Sequence, residues 1–300
     1  MKKVLFVLMA AMAILTVSSC KKDKTGGGDD NTAKIPVATY RVKAVLKDFK
    51  GDDMYSGDAW KFTWNSNGTI SKIDLDWNKE TYSSVVFSYS GNTATAVDAK
   101  KENKPVYEIT LNDKNLATKI VNKGGEDYGG FSTLECTYDA NGFLTKAIVN
   151  GKLSSLQQID ENGDVEFWTR IGVEAQISES LSAPGWRKKM HTYYSAVNAA
   201  GIHGEWNEDT GVGKRWLYES GLLGRASAHV MRTAWWYGVV KDGAVSQEYA
   251  TKLAYYPLDV DANSCVKSET KCYDSKEKYE NDPSTMAPEG SIYFVCEKIN

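Results

Sequence analysis

The chain has 300 residues, 36 lysines and arginines against 39 acids, and a formal charge of −3. No basic block stands beyond a short cluster at positions 21–24, which argues against a nucleic-acid partner. Nine Trp, seventeen Tyr and eight Phe beside only six Pro predict strands, because aromatic side chains fit a pleated, half-buried surface.

Met1-Lys2-Lys3 followed by the apolar run Val4 to Val17 has the layout of a secretory signal, and the run is too short to span a bilayer comfortably as a mature helix. Val17-Ser18-Ser19-Cys20 resembles the bacterial lipobox, with Val where Leu is usual; an ordinary secretion signal is the alternative. The resemblance implies removal of residues 1–19, acylation of Cys20 and anchoring in a bacterial outer membrane, where two or more acyl chains hold stably and one does not. Lys21, Lys22 and Lys24 around a single Asp23 leave open whether the chain faces the periplasm or the surface. Loss of Lys2 and Lys3 with the signal moves the formal charge from −3 to −5. Residues 20–34 are polar and glycine-rich and read as a flexible tether, and residues 35–300 read as a single β-meander domain.

Tyr40, Val42, Ala44 and Leu46 alternate with Arg41, Lys43 and Lys47, the period of two that marks a strand. Phe62-Thr63-Trp64, the turn Asn65-Ser66-Asn67-Gly68 and Ile70 to Trp77 predict the first hairpin. The theme recurs with strands at Val85 to Tyr89, Val106 to Leu111, Leu134 to Tyr138 and Val165 to Trp168. Its turns are Ser90-Gly91-Asn92, Asn112-Asp113-Lys114-Asn115, Asp139-Ala140-Asn141-Gly142 and Asp160-Glu161-Asn162-Gly163. Gly or Asn at the end of a turn supplies the positive φ of a type I turn followed by a left-handed residue. The spacing of these turns resembles the tyrosine-aspartate repeats of long β-hairpin arrays, with Tyr138-Asp139-Ala140-Asn141-Gly142-Phe143-Leu144 the best copy.

From Ser178 to Gly224 the alternation breaks, which predicts one long irregular excursion holding a short helix. It resumes from Ala226 to Tyr237, turns at Lys241-Asp242-Gly243 and returns along Tyr249 to Tyr256. A polar, cysteine-bearing segment, 259–288, precedes a final strand from Ser291 to Cys296. The resulting fold class is all-β, an antiparallel up-and-down meander.

Tyr218 to Ser227, the strand ending in Trp235-Trp236-Tyr237, and the return through Tyr249-Ala250-Thr251-Lys252-Leu253-Ala254-Tyr255-Tyr256 resemble the end of a Bacteroidetes lipoprotein family of unknown function with a porin-like fold. The resemblance implies a strongly curved sheet or porin-like barrel and carries over no catalytic residue. The long stretch from His191 to Gly213 and the segment 259–288 depart from the family pattern.

Four cysteines besides Cys20, namely Cys136, Cys265, Cys272 and Cys296, allow three disulfide pairings in an exported chain. Local closure of Cys265 with Cys272 would leave Cys136 for Cys296; buried single thiols are the alternative. The densest polar cluster runs from His203 through Glu205 to Asp209, and Asp259 and Asp261 alternate like calcium ligands, although Ser264 and Thr270 replace the expected Gly and Glu. A solvated loop and turn chemistry are the plainer readings of the two, and no cofactor is expected. Trp60, Trp64, Trp77, Trp235 and Trp236 could stack on sugar rings or line an apolar cleft, or simply fill the core. Taken together the sequence describes a lipid-anchored, non-catalytic envelope protein that binds a glycan or an apolar molecule. The alternatives are a structural, adhesin-like component, a transmembrane porin or a hydrolase using the loop around His203.

Overall fold

The computed structural model describes residues 35–48, 58–170, 180, 185–204, 214–241, 244–246 and 252–299. The expected signal and tether, with Cys20, and Glu205 lie outside them. Seventeen strands are described: β1 (Tyr40–Asp48), β2 (Asp58–Trp64), β3 (Ile70–Trp77), β4 (Glu80–Ser90), β5 (Thr93–Asp98), β6 (Lys104–Leu111), β7 (Ala117–Asn122), β8 (Thr133–Tyr138) and β9 (Leu144–Val149), then β10 (Lys152–Ile159), β11 (Val165–Arg170), β12 (Trp186–Val197), β13 (His229–Lys241), β14 (Ala244–Ser246), β15 (Lys252–Tyr255), β16 (Ser268–Ser275) and β17 (Pro288–Lys298). From β1 to β13 each strand pairs antiparallel with its successor, β15 continues to β16 and β17, and β17 returns to β1. The short β14 and β15 follow one another along the same edge of β13, opposite Val239–Lys241 and Thr233–Trp235 respectively, and occupy one position. The sheet is therefore a closed, sixteen-position, up-and-down barrel, and closure removes the unpaired edges an open sheet would expose.

Two stretches expected to be irregular contain ladder strands. The expected excursion, 178–224, holds β12, whose pairing with β13 is broken by register shifts at Lys188/Lys189, Thr192/Tyr193 and Tyr193/Val197. The first two shifts each add one residue to β13 and the third adds two to β12, and β12 is half-buried on both faces, so its sequence shows no apolar-polar alternation. The segment 259–288 holds β16 and a short helix, Lys276–Asn281, capped by the Ser275 hydroxyl.

The pleat divides the sheet by polarity. Phe62, Ile73, Leu75, Phe87, Ala94, Ala96, Tyr107, Ile109, Leu134 and Cys136 point to one side and form a single buried cluster. On the other side, lysines and acids pair across strands: Lys61 with Asp76 at 2.6 Å, Lys119 with Glu135 at 3.3 Å and Lys123 with Glu108 at 3.3 Å. The apolar side faces the lumen, as the residues packed against it show below. Two apolar groups among the described residues stand on the opposite side: Trp168 with Leu156, Leu153, Ile148, Trp186 and Val240, beneath the Lys188 ammonium 5.0 Å from the Trp168 ring, and Trp235 with Leu253, Tyr255, Cys272, Met286 and Tyr279.

Hairpins of a meander alternate between two rims. One rim carries consecutive residues of positive φ, as two-residue turns at Asn78-Lys79 and Asn150-Gly151 and at Glu102-Asn103 within the loop 99–103, the backbone that matches strand twist. The other rim carries a repeated turn in which an Asn or Asp side chain accepts from the backbone two and four residues on. Asn112 Oδ1 takes Lys114 N–H and Leu116 N–H, Asp139 Oδ1 takes Asn141 and Phe143, Asp160 Oδ1 takes Asn162 and Asp164, and Asp261 Oδ1 takes Asn263 and Cys265, all within 3.0 Å. The residue closing each turn has positive φ: Asn115, Gly142, Gly163 and Ser264.

Residues 198–228 join β12 to β13 on this second rim, and their described parts fold inward over it. A five-residue helix, Arg215–Glu219, is buried along its whole length. Trp216 meets Tyr107 of β6 with ring centroids 6.0 Å apart, Arg215 bonds Glu269 of β16 at 2.8 Å, and its guanidinium lies 5.4 Å from the Phe294 ring of β17. A segment that touches β6, β16 and β17 together must cross the mouth of the barrel, so the apolar side of the sheet is the lumen and the connection is its cap. The turns receive it: Arg225 N–H donates to Gly142 O and Ala228 N–H to Gly163 O, both at 2.9 Å, while Ala117 N–H donates to Leu222 O at 2.8 Å.

Candidate functional site

Between the cap, the strand leading into β1 and the end of β2 lies a cleft of about 210 Å³, lined among others by Trp64, Asn198, His203, Tyr218, Glu219 and Arg225. Trp64 closes β2; its indole N–H donates to Val42 O at 3.0 Å and the Arg41 guanidinium stacks 5.2 Å from its ring. Asn198 braces the cap from within, its amide donating to Ile202 O and Ser227 O and accepting from Ile202 N–H at 2.8–3.0 Å. That network fixes the loop that presents His203, whose ring lies 5.4 Å from Tyr218.

A buried ionic cluster stands behind the cleft. Arg215 Nε donates to Glu219 Oε1 at 3.0 Å and its terminal nitrogen to Glu269 Oε2 at 2.8 Å. Burial penalises the guanidinium charge, but the two carboxylates outweigh that cost and move its pKa upward. Burial also pushes the Glu219 carboxyl above the usual carboxylate range, with Arg215 opposing the shift. Glu219 further accepts the His203 backbone N–H at 3.3 Å. Its oxygens are thus committed to holding the cap, which leaves it poorly placed as a general base. Arg225 is committed too: its guanidinium donates to Pro36 O at 2.5 Å and lies 4.7 Å from the Phe143 ring.

A second carboxylate and imidazole meet nearby, where Asp164 Oδ2 lies 2.9 Å from His229 Nδ1 and Asp164 Oδ1 accepts His229 N–H at 3.0 Å. Burial raises the Asp164 pKa, and His229 opposes the rise. The adjoining Ser227 hydroxyl accepts Val165 N–H at 3.1 Å and bonds the Tyr193 hydroxyl at 3.0 Å. The serine is thereby held in the cap-to-barrel seam rather than presented to a base.

The residues singled out in the sequence do not converge. Trp64 and His203 reach the cleft; Trp60 packs against the main core; Trp77 stands 61% exposed beside a hairpin turn; Trp235 packs with Leu253, Cys272 and Met286; the Trp236 side chain lies outside the described residues. A shared aromatic face is therefore corrected to separate positions, since each tryptophan follows its own strand's parity. Asp261 spends Oδ1 on two backbone N–H groups, and Asp259 accepts the Ser268 hydroxyl at 2.6 Å and pairs with Lys267 at 2.7 Å. These two are turn and loop residues. Among the described residues no three His, Cys, Asp or Glu side chains gather as metal ligands.

The expected pairing of Cys265 with Cys272 is also corrected. The extended strand from Ser268 to Cys272 alone covers about 13 Å, beyond the reach of a disulfide, and Cys272 sits in the cluster of Leu253 and Met286 while Cys265 belongs to the main core. In this structure the four described cysteines are unbonded to one another. Sequence reasoning missed Arg215, Tyr218, Glu219 and Arg225; the available signal was an Arg and a Glu four apart around Trp216-Leu217-Tyr218, too dense in large apolar residues for a solvated loop.

No family model and no curated protein matches the chain. Among solved structures it is similar to a porin-like protein from Bacteroides uniformis ATCC 8492, with a TM-score of 0.55 and 14% identity over 85% of this chain and 98% of that one. The likeness establishes the fold: this chain is an all-β, porin-like barrel.

Proposed function

We propose that the chain is a lipid-anchored envelope protein, tethered through Cys20, whose capped barrel stands in water and binds a small polar molecule, about one sugar ring in size, in the cleft beneath Trp64. The polarity of the sheet carries the reading. A barrel that spans a membrane needs an apolar outer band and a polar lumen, whereas here apolar side chains and the cap pack the lumen and cross-strand ion pairs stand on the outer face of β2–β8. A filled lumen leaves no room for an acyl chain, which weighs against the apolar-cargo alternative. The cleft, at about 210 Å³, is smaller than the 300–1,000 Å³ typical of drug-sized ligands. Its lining of Trp64 and Tyr218 beside the His203 imidazole suits a ring with hydroxyls around its edge.

Two measurements test the two halves of the reading. Cys20→Ala should move the protein from the membrane to the soluble fraction, and retention in the membrane would sink the anchor. Native mass spectrometry of the protein cut after Asn31 and purified from its own envelope, compared with the denatured mass, should show a removable adduct of sugar size. Identical masses, together with no heat of binding to a panel of monosaccharides, would refute the ligand.

A further inference from the structure

We propose that Cys265 and Cys296 are joined by a disulfide in the exported protein, clamping the β15–β16 connection to β17 beside the cap. The export half of the function proposed above supplies the oxidising compartment on which this rests. The β16–β17 ladder sets Ser268 opposite Tyr293, and Phe294 N–H donates to Lys267 O at 2.8 Å. Two residues farther along the same antiparallel path, Cys265 comes opposite Cys296, and their thiols are in hydrogen-bond contact. Directly opposed residues of antiparallel strands hold their Cβ atoms about 4.5–5.5 Å apart, so only a small approach reaches disulfide geometry.

Both backbones are fixed where they stand. Cys265 N–H is held by Asp261 Oδ1 at 3.0 Å, next to the bridge between Val260 and Val266, and Cys296 lies opposite Val42 in the ladder that closes the barrel. Neither remaining thiol competes. Cys136 is buried on β8 with its thiol hydrogen-bonded to Tyr138, and Cys272 is buried in the separate cluster of Leu253 and Met286.

The chemistry is thiol–disulfide exchange with an external disulfide, a small molecule or a protein. One cysteine thiolate attacks a sulfur of that disulfide, expelling a thiolate that takes up a proton. The second cysteine then displaces the other half, so two protons and two electrons pass from the pair to the external disulfide, which leaves as two thiols. Burial pushes the Cys296 thiol up to about 12 and raises that of Cys265. Exchange is therefore slow in the folded barrel and belongs to folding, before this end of the core closes.

Tryptic mapping under non-reducing conditions, after alkylation, reads the bond directly, because Lys267 and Lys271 separate Cys265 from Cys272. Protein from its own envelope should give the Cys265 and Cys296 peptides linked and Cys136 and Cys272 alkylated. Dithiothreitol should lower its melting temperature on the order of 10 °C, from a closed loop of about thirty residues. Alkylated Cys265 and Cys296 in that protein, or a link to any other cysteine, overturns the proposal. The same protein refolded with glutathione disulfide separates the causes. A Cys265–Cys296 link there but not in the envelope sample means the export reading has failed, and no link in either means the pairing itself is wrong.

Discussion

Gly224 shows how narrowly the cap is seated. Its φ of +94° is unfavourable for any side chain, and an added Cβ would meet Gly142 O at 2.6 Å and the Tyr138 ring at 2.9 Å. Neither can retreat: Gly142 O accepts Arg225 N–H, and the Tyr138 hydroxyl donates to Ala117 O at 2.7 Å and Leu222 O at 3.2 Å. Gly224→Ala should therefore destabilise the protein by about 2–4 kcal/mol, read as a lower urea midpoint, and a loss under 0.5 kcal/mol would show that the cap floats free of the rim. Asp98 works on the opposite rim, where its buried carboxylate accepts from the Ser83 hydroxyl, Ser84 N–H, Lys100 N–H and the Tyr128 hydroxyl at 2.5–2.9 Å. Burial alone would raise its pKa, but these donors prevail and hold it below the usual value. A depressed folded pKa gives stability that is present above the unfolded value, about 3.9, and is lost as pH falls through the folded one. The urea midpoint should thus drop between pH 5 and pH 3 in the parent protein and drop less in Asp98→Asn; equal slopes would remove Asp98 from the acid response.

The five-residue helix of the cap owes little to helix propensity. It has no side-chain N-cap, and so short a helix is unstable alone. Burial of Trp216 against Tyr107 and the main core holds it. Trp216→Ala should cost about 3–5 kcal/mol, while Trp77→Ala, at the exposed hairpin, should stay within about 0.5 kcal/mol; similar losses from the two in thermal unfolding would contradict a filled lumen. The same contrast explains what was legible in the sequence. Turns at Asn65, Asn112, Asp139 and Asp160 were readable because a side chain and a left-handed residue three positions on write the turn locally, and most strands flanking them followed. The β9–β10 hairpin carries an equally local signal in Asn150-Gly151, both of positive φ. β12 was hidden because both of its faces are half-buried and carry bulky side chains, and the cap by chemistry of another kind: Arg215, Glu219 and Glu269 are surface-type residues whose burial depends on partners up to 54 positions away. Of the cleft, only Trp64 and His203 were visible beforehand, since the cleft forms only where the cap meets β1 and β2.

At the scale of the whole molecule, closure and polarity decide between two uses of one barrel. Closing the ring satisfies the backbone whether the outside meets lipid or water, so the porin-like fold alone selects neither environment. Side chains select it, and a lysine or arginine facing lipid at the bilayer midplane costs about 2–4 kcal/mol. Lys61, Lys72, Lys119 and Lys123 on the outer face would each incur such a cost and gain nothing from the membrane, whereas in water each ammonium stays partly solvated beside its partner, Asp76, Asp74, Glu135 or Glu108. The lumen argues the same way, because emptying it for conduction would expose Trp216, Leu217, Leu222 and Leu223 with the strand residues they cover. The protein cut after Asn31 should accordingly remain dispersed in detergent-free buffer and add no conductance to a planar bilayer. Discrete, voltage-stable current steps from that preparation would mean that the cap leaves the lumen and the outer charges are tolerated, and the tethered-barrel reading would then fail at its root.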